Sequence, residues 1–293
     1  MEHVIKNSHL KVCISTKGAQ MKSIQNKDGK EHLWQGSKDT WEDSAPNLFP
    51  YVGRLTKGTY TLHGKEYHMG IHGFAMLKEF SVLKQSEDNI TFTLEDDMET
   101  RDQYPFSFQF CVTYQLHKNE IIITYQVYNK GKDTMYFGLG GHPGFNLPIN
   151  EHLTFEDYVI EFENQIEPVQ IGMSEDCFVT EKNRKFTLDE GKYLSLRHDL
   201  FDHDAIILQS MGNKVVLKSK KSKEEITVSF ADMKYLGIWH WPKSNVNYIC
   251  IEPWTSLPAR KDVVKELSEQ KDLINLIPGG TYKNTYSIQI SLL

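Results

Sequence analysis

The 293-residue chain is 39% hydrophobic and 25% charged, enough apolar material to bury a core as one big domain or two small ones. Its formal net charge of −6 gives no basic footprint, and the one dense lysine run, Lys218 to Lys223, is short and bounded by strand-like segments, which excludes nucleic acid as an expected partner. No stretch approaches the roughly 18 apolar residues of a membrane span, and the first residues have neither a basic nor an apolar leader region, so no membrane partner and a cytoplasmic location are expected.

In chain order, His9 to Ser15 and Ala19 to Gln25 read as strands, with Asn26 to Gly29 as a turn of the Asp-Gly kind. Tyr60 to Tyr67 reads as a hairpin with His63 and Gly64 at its tip, and Ile90 to Leu94 alternates apolar with polar. From Phe106 to Tyr114 the residues Phe106, Phe108, Phe110, Val112 and Tyr114 share one face while Ser107, Gln109 and Thr113 share the other, the two-residue period of a half-buried strand. Ile121 to Tyr128 is a second long strand with apolar residues on both faces. Leu116 to Glu120 supplies the turn, and the three segments make an antiparallel meander.

Past a glycine-rich bend at Gly138 to Asn146, short strands are expected at Tyr158 to Phe162, Lys192 to Leu196, Ala205 to Gln209, Lys214 to Ser219, Ile226 to Phe230 and Tyr248 to Ile251, with a last one at Thr285 to Leu292. Helix is scarce: Lys261 to Gln270, with Val263, Val264 and Leu267 at helical spacing, is the one candidate. No linker, composition break or repeat divides the chain. The reading is a mainly β protein, one large antiparallel β-sandwich domain over residues 1–293. Cys13, Cys111, Cys177 and Cys250 lie far apart without a C-x-x-C pair and read as reduced thiols, not disulfides or a zinc site.

Four stretches carry residues that a core does not need. Asn47 to Leu55 places Arg54 after a proline and a glycine; Met69 to Ala75 holds His72 between Ile71 and Gly73. The bend at 138–146 sets His142 among four glycines and Pro143, where the backbone either takes φ > 0 or admits a close neighbour. Tyr248 to Trp254 ends an apolar strand on Glu252, a costly place for a carboxylate unless it is paired or used.

With His-Gly-Phe-Ala at 72–75, Gly-His-Pro-Gly-Phe-Asn at 141–146, Arg54 in Gly-Arg-Leu and Ile-Glu-Pro-Trp at 251–254, the chain resembles the aldose 1-epimerase (mutarotase) family, its LacX-like branch in particular, over nearly its whole length. The resemblance implies a β-supersandwich with one open cleft, no cofactor and no metal. Carried over by motif, Glu252 is the general base, His142 the general acid, His72 a second histidine at the sugar ring and Arg54 a substrate-binding arginine. Asp204 is the match for an acidic residue that binds sugar hydroxyls, with Asp202 as its competitor. Where the family commonly has an arginine after His-Gly-x-Ala, Met76 stands here.

The implied reaction interconverts the α and β anomers of a free hexose by opening and closing the ring. A base takes the anomeric hydroxyl proton while an acid protonates the ring oxygen, and a histidine suits the acid because its ordinary pKa near 6.5 lets it give and recover a proton. Trp241 or Trp254 is the expected stacking face for the sugar. The alternatives are a hexose 6-phosphate epimerase, for which Arg101, Arg184, Arg197 and Arg260 are available cations, a non-catalytic carbohydrate-binding or sensing protein, a glycosidase, which would need two flanking carboxylates, and a metal site, for which the twelve histidines show no recognised ligand spacing. Oligomeric state is not readable from the sequence.

Overall fold

The computed structural model describes residues 1–163 and 166–291. Alternation builds its larger sheet. In Phe108–His117 the residues Phe108, Phe110, Val112, Tyr114 and Leu116 are buried, and in Glu120–Asn129 so are Ile121, Ile123, Tyr125 and Val127; the opposite face of the second strand is only half covered. The two pair antiparallel with Tyr114 opposite Ile123, and Ile90 of Asn89–Glu95 lies opposite Tyr114, which completes the expected meander. Among the described residues this sheet has nine strands, ordered 193–195, 158–162, 214–219, 225–229, 281–290, 120–129, 108–117, 89–95 and 81–85.

A second sheet runs 184–185, 169–170, 206–209, 235–239, 248–254, 140–141 and 47–48, with 144–146 also paired to 248–254. Its strands are shorter, and Tyr248–Trp254 is buried on both faces. The inner faces meet in one apolar core that extends from Ile5 to Ile290, giving a mainly β, antiparallel sandwich. Phe49, next to the edge strand of the second sheet, stacks on Phe110 of the first with ring centroids 4.5 Å apart.

One buried polar cluster fixes the register between the sheets. The Tyr125 hydroxyl donates to Asn47 Oδ1 at 2.8 Å and reaches the Gly140 carbonyl at 3.2 Å, while Asn47 Nδ2 donates to the Tyr114 hydroxyl at 2.9 Å. Polar atoms sealed in a core are stable only when bonded, so Tyr114 and Tyr125 of the regular sheet hold the strand that leads to His142.

Three expectations change. Lys261 to Gln270 is not a helix: Glu266 pairs with Thr61 and its carboxylate accepts the His63 N–H at 2.7 Å, leaving only a 3-10 turn at Leu267–Glu269. Val263 and Val264 are 42% and 36% exposed, so an amphipathic helix there would have only Leu267 to bury. The α-helix among the described residues is instead Met98–Gln103, held by a reciprocal Asp97–Thr100 capping box. Glu2–Lys6, Ser81–Gln85 and Tyr235–Trp239 are strands that the sequence reading passed over. The last strand is Thr281–Ile290, and Leu292 of the expected one lies outside the described residues.

The four cysteines are free. Lys218, Lys220 and Lys221 are paired with Glu161, Glu190 and Asp157, so the lysine run is a solvated, neutralised face. No helix among the described residues is long and apolar enough to cross a membrane.

Candidate active site

Of the two expectations for the bend at 138–146, the close neighbour is the one the structure shows. Gly138, Gly140, Gly141 and Gly144 all have negative φ, and each is small because protein crosses it: a Cβ at Gly141 would stand 2.5 Å from the Tyr286 hydroxyl, and one at Gly144 2.7 Å from the Trp41 ring. The bend is two short strands laid across Tyr248–Trp254, with Gly140 opposite Trp254 and Gly144 opposite Cys250. Between them His142, anchored by its N–H to the Pro46 carbonyl at 3.0 Å, turns its ring toward Glu252.

Glu252 does not end its strand, as the sequence reading held; the strand continues to Trp254 and buries Glu252 to 1% exposure. His142 Nε2 lies 3.2 Å from Glu252 Oε2. Burial drives the Glu252 pKa well above the ordinary carboxylate value, with Asp204 adding to the rise and the Trp254 indole opposing it. Burial likewise drives His142 well below the ordinary imidazole value, and nearby His72 adds to the fall. A dry pair pushed in these directions favours its neutral form, a carboxylic acid beside an imidazole. His142 Nδ1 and Glu252 Oε2 are buried without a hydrogen-bond partner, so the pair is left open to a ligand.

His72 sits beside it, ring centroids 5.6 Å apart, on a left-handed backbone (φ 62°) next to Gly73. Gly73 has φ 75° and passes so close to Phe49 that a Cβ would meet its carbonyl oxygen at 2.3 Å. The Gly53 N–H donates to His72 Nδ1 at 3.1 Å, which leaves Nε2 to carry the proton. Burial, then the Arg54 charge, lowers the His72 pKa to about 4, so at neutral pH it is an uncharged donor.

These groups line one cavity of about 290 Å³. All seven residues singled out from the sequence, Arg54, His72, His142, Asp204, Trp241, Glu252 and Trp254, are in its wall. Asp202 is not; it faces a separate surface depression with Arg197 and Lys243. Arg54 is exposed and makes no ion pair among the described residues. Arg101, Arg184, Arg197 and Arg260 do not line the cavity: Arg101 pairs with Asp96, Arg197 with Asp199 and Arg260 with Glu181, and Arg184 bonds Gln170. Arg54 is the one arginine or lysine among the described residues in the wall, and Met76 is part of that wall.

The tryptophans divide. Trp254 is 4% exposed and its ring lies against Gly140 and Gly237, so little of it is open for stacking, whereas Trp241 is 40% exposed at the cavity wall. Trp239 points the same way as Trp241, and His240 between them is buried against Phe201. Sequence reasoning missed Trp41, which covers His142 with centroids 4.9 Å apart at 30° and meets Trp239 edge-on. It stands in an aperiodic segment with no turn or strand signal. Cys177, Met173 and Ser174 were missed for the same reason.

Among the described residues, one set of buried groups could hold a metal: His142, Cys250 and Glu252, with ligand atoms within 4.8 Å of one another. Burial pushes the Cys250 thiol well up, which keeps its proton on and works against that use.

The profile of the aldose 1-epimerase family matches residues 1–287. The chromosomally encoded protein LacX of Lactococcus lactis subsp. lactis is 33% identical over 295 residues, covering 98% of each chain. Among solved structures, a galactose mutarotase related enzyme from Lactobacillus acidophilus superposes with TM-score 0.95 at 36% identity, covering 100% of this chain and 98% of the other. A galactose mutarotase-like protein from Lactobacillus casei ATCC 334 superposes with TM-score 0.93 at 30% identity over 99% of this chain and 100% of the other.

Proposed function

The chain belongs to the aldose 1-epimerase family, and from that premise we propose that it interconverts the α and β anomers of a free hexose, with Glu252 and His142 as the proton-exchanging pair. The observation that carries this reading is the 3.2 Å contact of His142 Nε2 with Glu252 Oε2 inside a tryptophan-lined cavity. The anomeric hydroxyl and the ring oxygen are both bonded to C1, so the acid and base of a mutarotase must stand side by side. Glycosidase carboxylates flank a bond and lie about 5–9 Å apart; here the immediate neighbour of Glu252 is an imidazole.

In ring opening the Glu252 carboxylate takes the anomeric proton, C1=O forms as the C1–ring-oxygen bond breaks, and protonated His142 supplies the proton to the departing ring oxygen. The pair thereby passes from charged to neutral, the direction in which burial pushes both groups. After rotation about C1–C2, His142 takes back the proton of the ring hydroxyl as that oxygen attacks C1, Glu252 gives its proton to the carbonyl oxygen, and the ring closes on the other face. His72 Nε2–H and Asp204 are placed to bond hydroxyls, and exposed Trp241 is the better stacking face. With one guanidinium and two carboxylates in the wall, the cavity suits an uncharged hexose over a 6-phosphate, which calls for converging cations.

The test is the decay of optical rotation of fresh α-galactose and α-glucose, alongside their 6-phosphates. Wild type is expected to accelerate the free sugars and Glu252→Gln to abolish nearly all of the gain. No acceleration of either sugar by wild type overturns the enzymatic reading in favour of a binding protein, and preference for the phosphates overturns the substrate assignment.

A further inference from the structure

A half-buried cysteine that the proposed chemistry does not use stands in the cavity wall. Cys177 Sγ lies 2.9 Å from Asp204 Oδ2, and the other oxygen of that carboxylate accepts the Ala205 N–H at 2.7 Å. Both residues have left-handed backbones, φ 66° at Cys177 and 76° at Asp204, a conformation unfavourable for any residue with a Cβ and kept only where surrounding bonds impose it. Those bonds are present. The Cys177 N–H donates to the Ser174 carbonyl at 3.0 Å, the Ser174 N–H donates to the Phe178 carbonyl at 2.9 Å while the Phe178 N–H donates to Ser174 Oγ at 3.1 Å, and the Val179 N–H donates to the Ala259 carbonyl at 2.9 Å. On the other side the Asp204 N–H donates to Phe201 at 3.0 Å, ahead of the Ile206–Gln209 strand. Two separate loops are thus each held in a strained form that brings one thiol to one carboxylate.

We infer that Cys177 is a positioning residue for sugar binding: its S–H donates to Asp204 Oδ2 and fixes the carboxylate with its remaining lone pairs toward the cavity. The inference rests on the reading of Asp204 as a hydroxyl-binding group. Asp204 makes no ion pair among the described residues, so Ala205 and Cys177 set its orientation. An arginine or lysine in the position of the thiol would hold the carboxylate more tightly but spend its charge; a thiol leaves the full anion available to sugar hydroxyls. Burial and the neighbouring carboxylate push the Cys177 pKa up to about 12, which keeps the thiol protonated and a donor.

The experiment is a double-mutant cycle on galactose, read as KM and kcat by rotation decay and as Kd by calorimetry in the Glu252→Gln background. Cys177→Ala is expected to raise KM and Kd about 3- to 10-fold, the span of one hydrogen bond, with kcat within about 2-fold. Cys177→Ser, which keeps the donor, is expected to return both to near the wild-type values. In Asp204→Asn, itself weaker in binding, adding Cys177→Ala is expected to change nothing further. Equal weakening by Ser and Ala, a full Cys177→Ala effect in the Asp204→Asn background, or unchanged Kd on Cys177→Ala overturns the inference. Because Kd needs no turnover, a wild type that binds galactose without accelerating mutarotation sinks the enzymatic reading and leaves this one standing or falling on the cycle. A wild type that binds neither galactose nor glucose sinks both.

Discussion

The two sheets contrast in how they treat polarity. The nine-stranded sheet carries long strands with clean alternation, its inner face mostly aromatic and aliphatic, with the Tyr114 and Tyr125 hydroxyls bonded to Ala19 and Asn47. The sheet under the cavity has short strands, a seven-residue central strand buried on both sides, and a carboxylate and an imidazole with unpartnered buried atoms. The depressed histidines, His32, His72, His142, His198 and His240, all lie outside the nine-stranded sheet. Unpartnered polar atoms are thus distributed unevenly: among the described residues the nine-stranded sheet leaves Asn284 Oδ1, whereas at the second sheet those of His142, Glu252 and Trp254 gather in one cavity wall.

That separation predicts what breaks. Glu252→Gln and His142→Asn should each lower kcat by about 10²–10⁴-fold while the melting temperature holds or rises, because a costly buried titratable group is lost. A large loss of stability in either would join the site to the scaffold. Phe110→Ala, in the stacked contact with Phe49, should do the reverse, costing about 3–5 kcal/mol with kcat per folded molecule retained. A selective loss of kcat would show that the core contact positions the pair.

Acid should find the cavity side first. Below pH 6.5 unfolded histidines take up protons that the folded ones, lowered to about 4 at His32, His72 and His240, refuse. The unfolded state then binds more protons, so stability falls as pH drops from about 6.5 toward 4. Glu252, raised, acts in the opposite sense, favouring the folded state as pH falls toward the ordinary carboxylate value, but it is one group against five. Urea midpoints at pH 7, 6 and 5 check the sign, and a flat profile would refute it. Smallest of all, Lys221→Gln on the outer lysine face should change stability by less than about 0.5 kcal/mol and leave KM unaltered.

Legibility followed the same division. Phe106 to Tyr114 could be read because a two-residue period needs only local sequence, and His142, Glu252, His72 and Arg54 could be named because each sits in a motif. Lys261 to Gln270 misled because helical spacing of Val263, Val264 and Leu267 says nothing of what will cover them; the Tyr60–Tyr67 hairpin offered Glu266 a backbone partner first. Trp41 and Cys177 gave no local signal at all, since their roles consist of a ring over His142 and a thiol on Asp204, contacts across more than twenty residues of chain.

A β protein, and the motifs that carry His142 and Glu252, could be read from the chain alone, because period and motif are written along it. The fold was needed to bring His142 and Glu252 to 3.2 Å, to turn Asp204 and not Asp202 to the cavity, and to lay Trp254, Tyr286 and Trp41 against the glycines of the bend. Distance, burial and the pKa shifts that follow from them belong to groups from separate strands, and no local pattern encodes them.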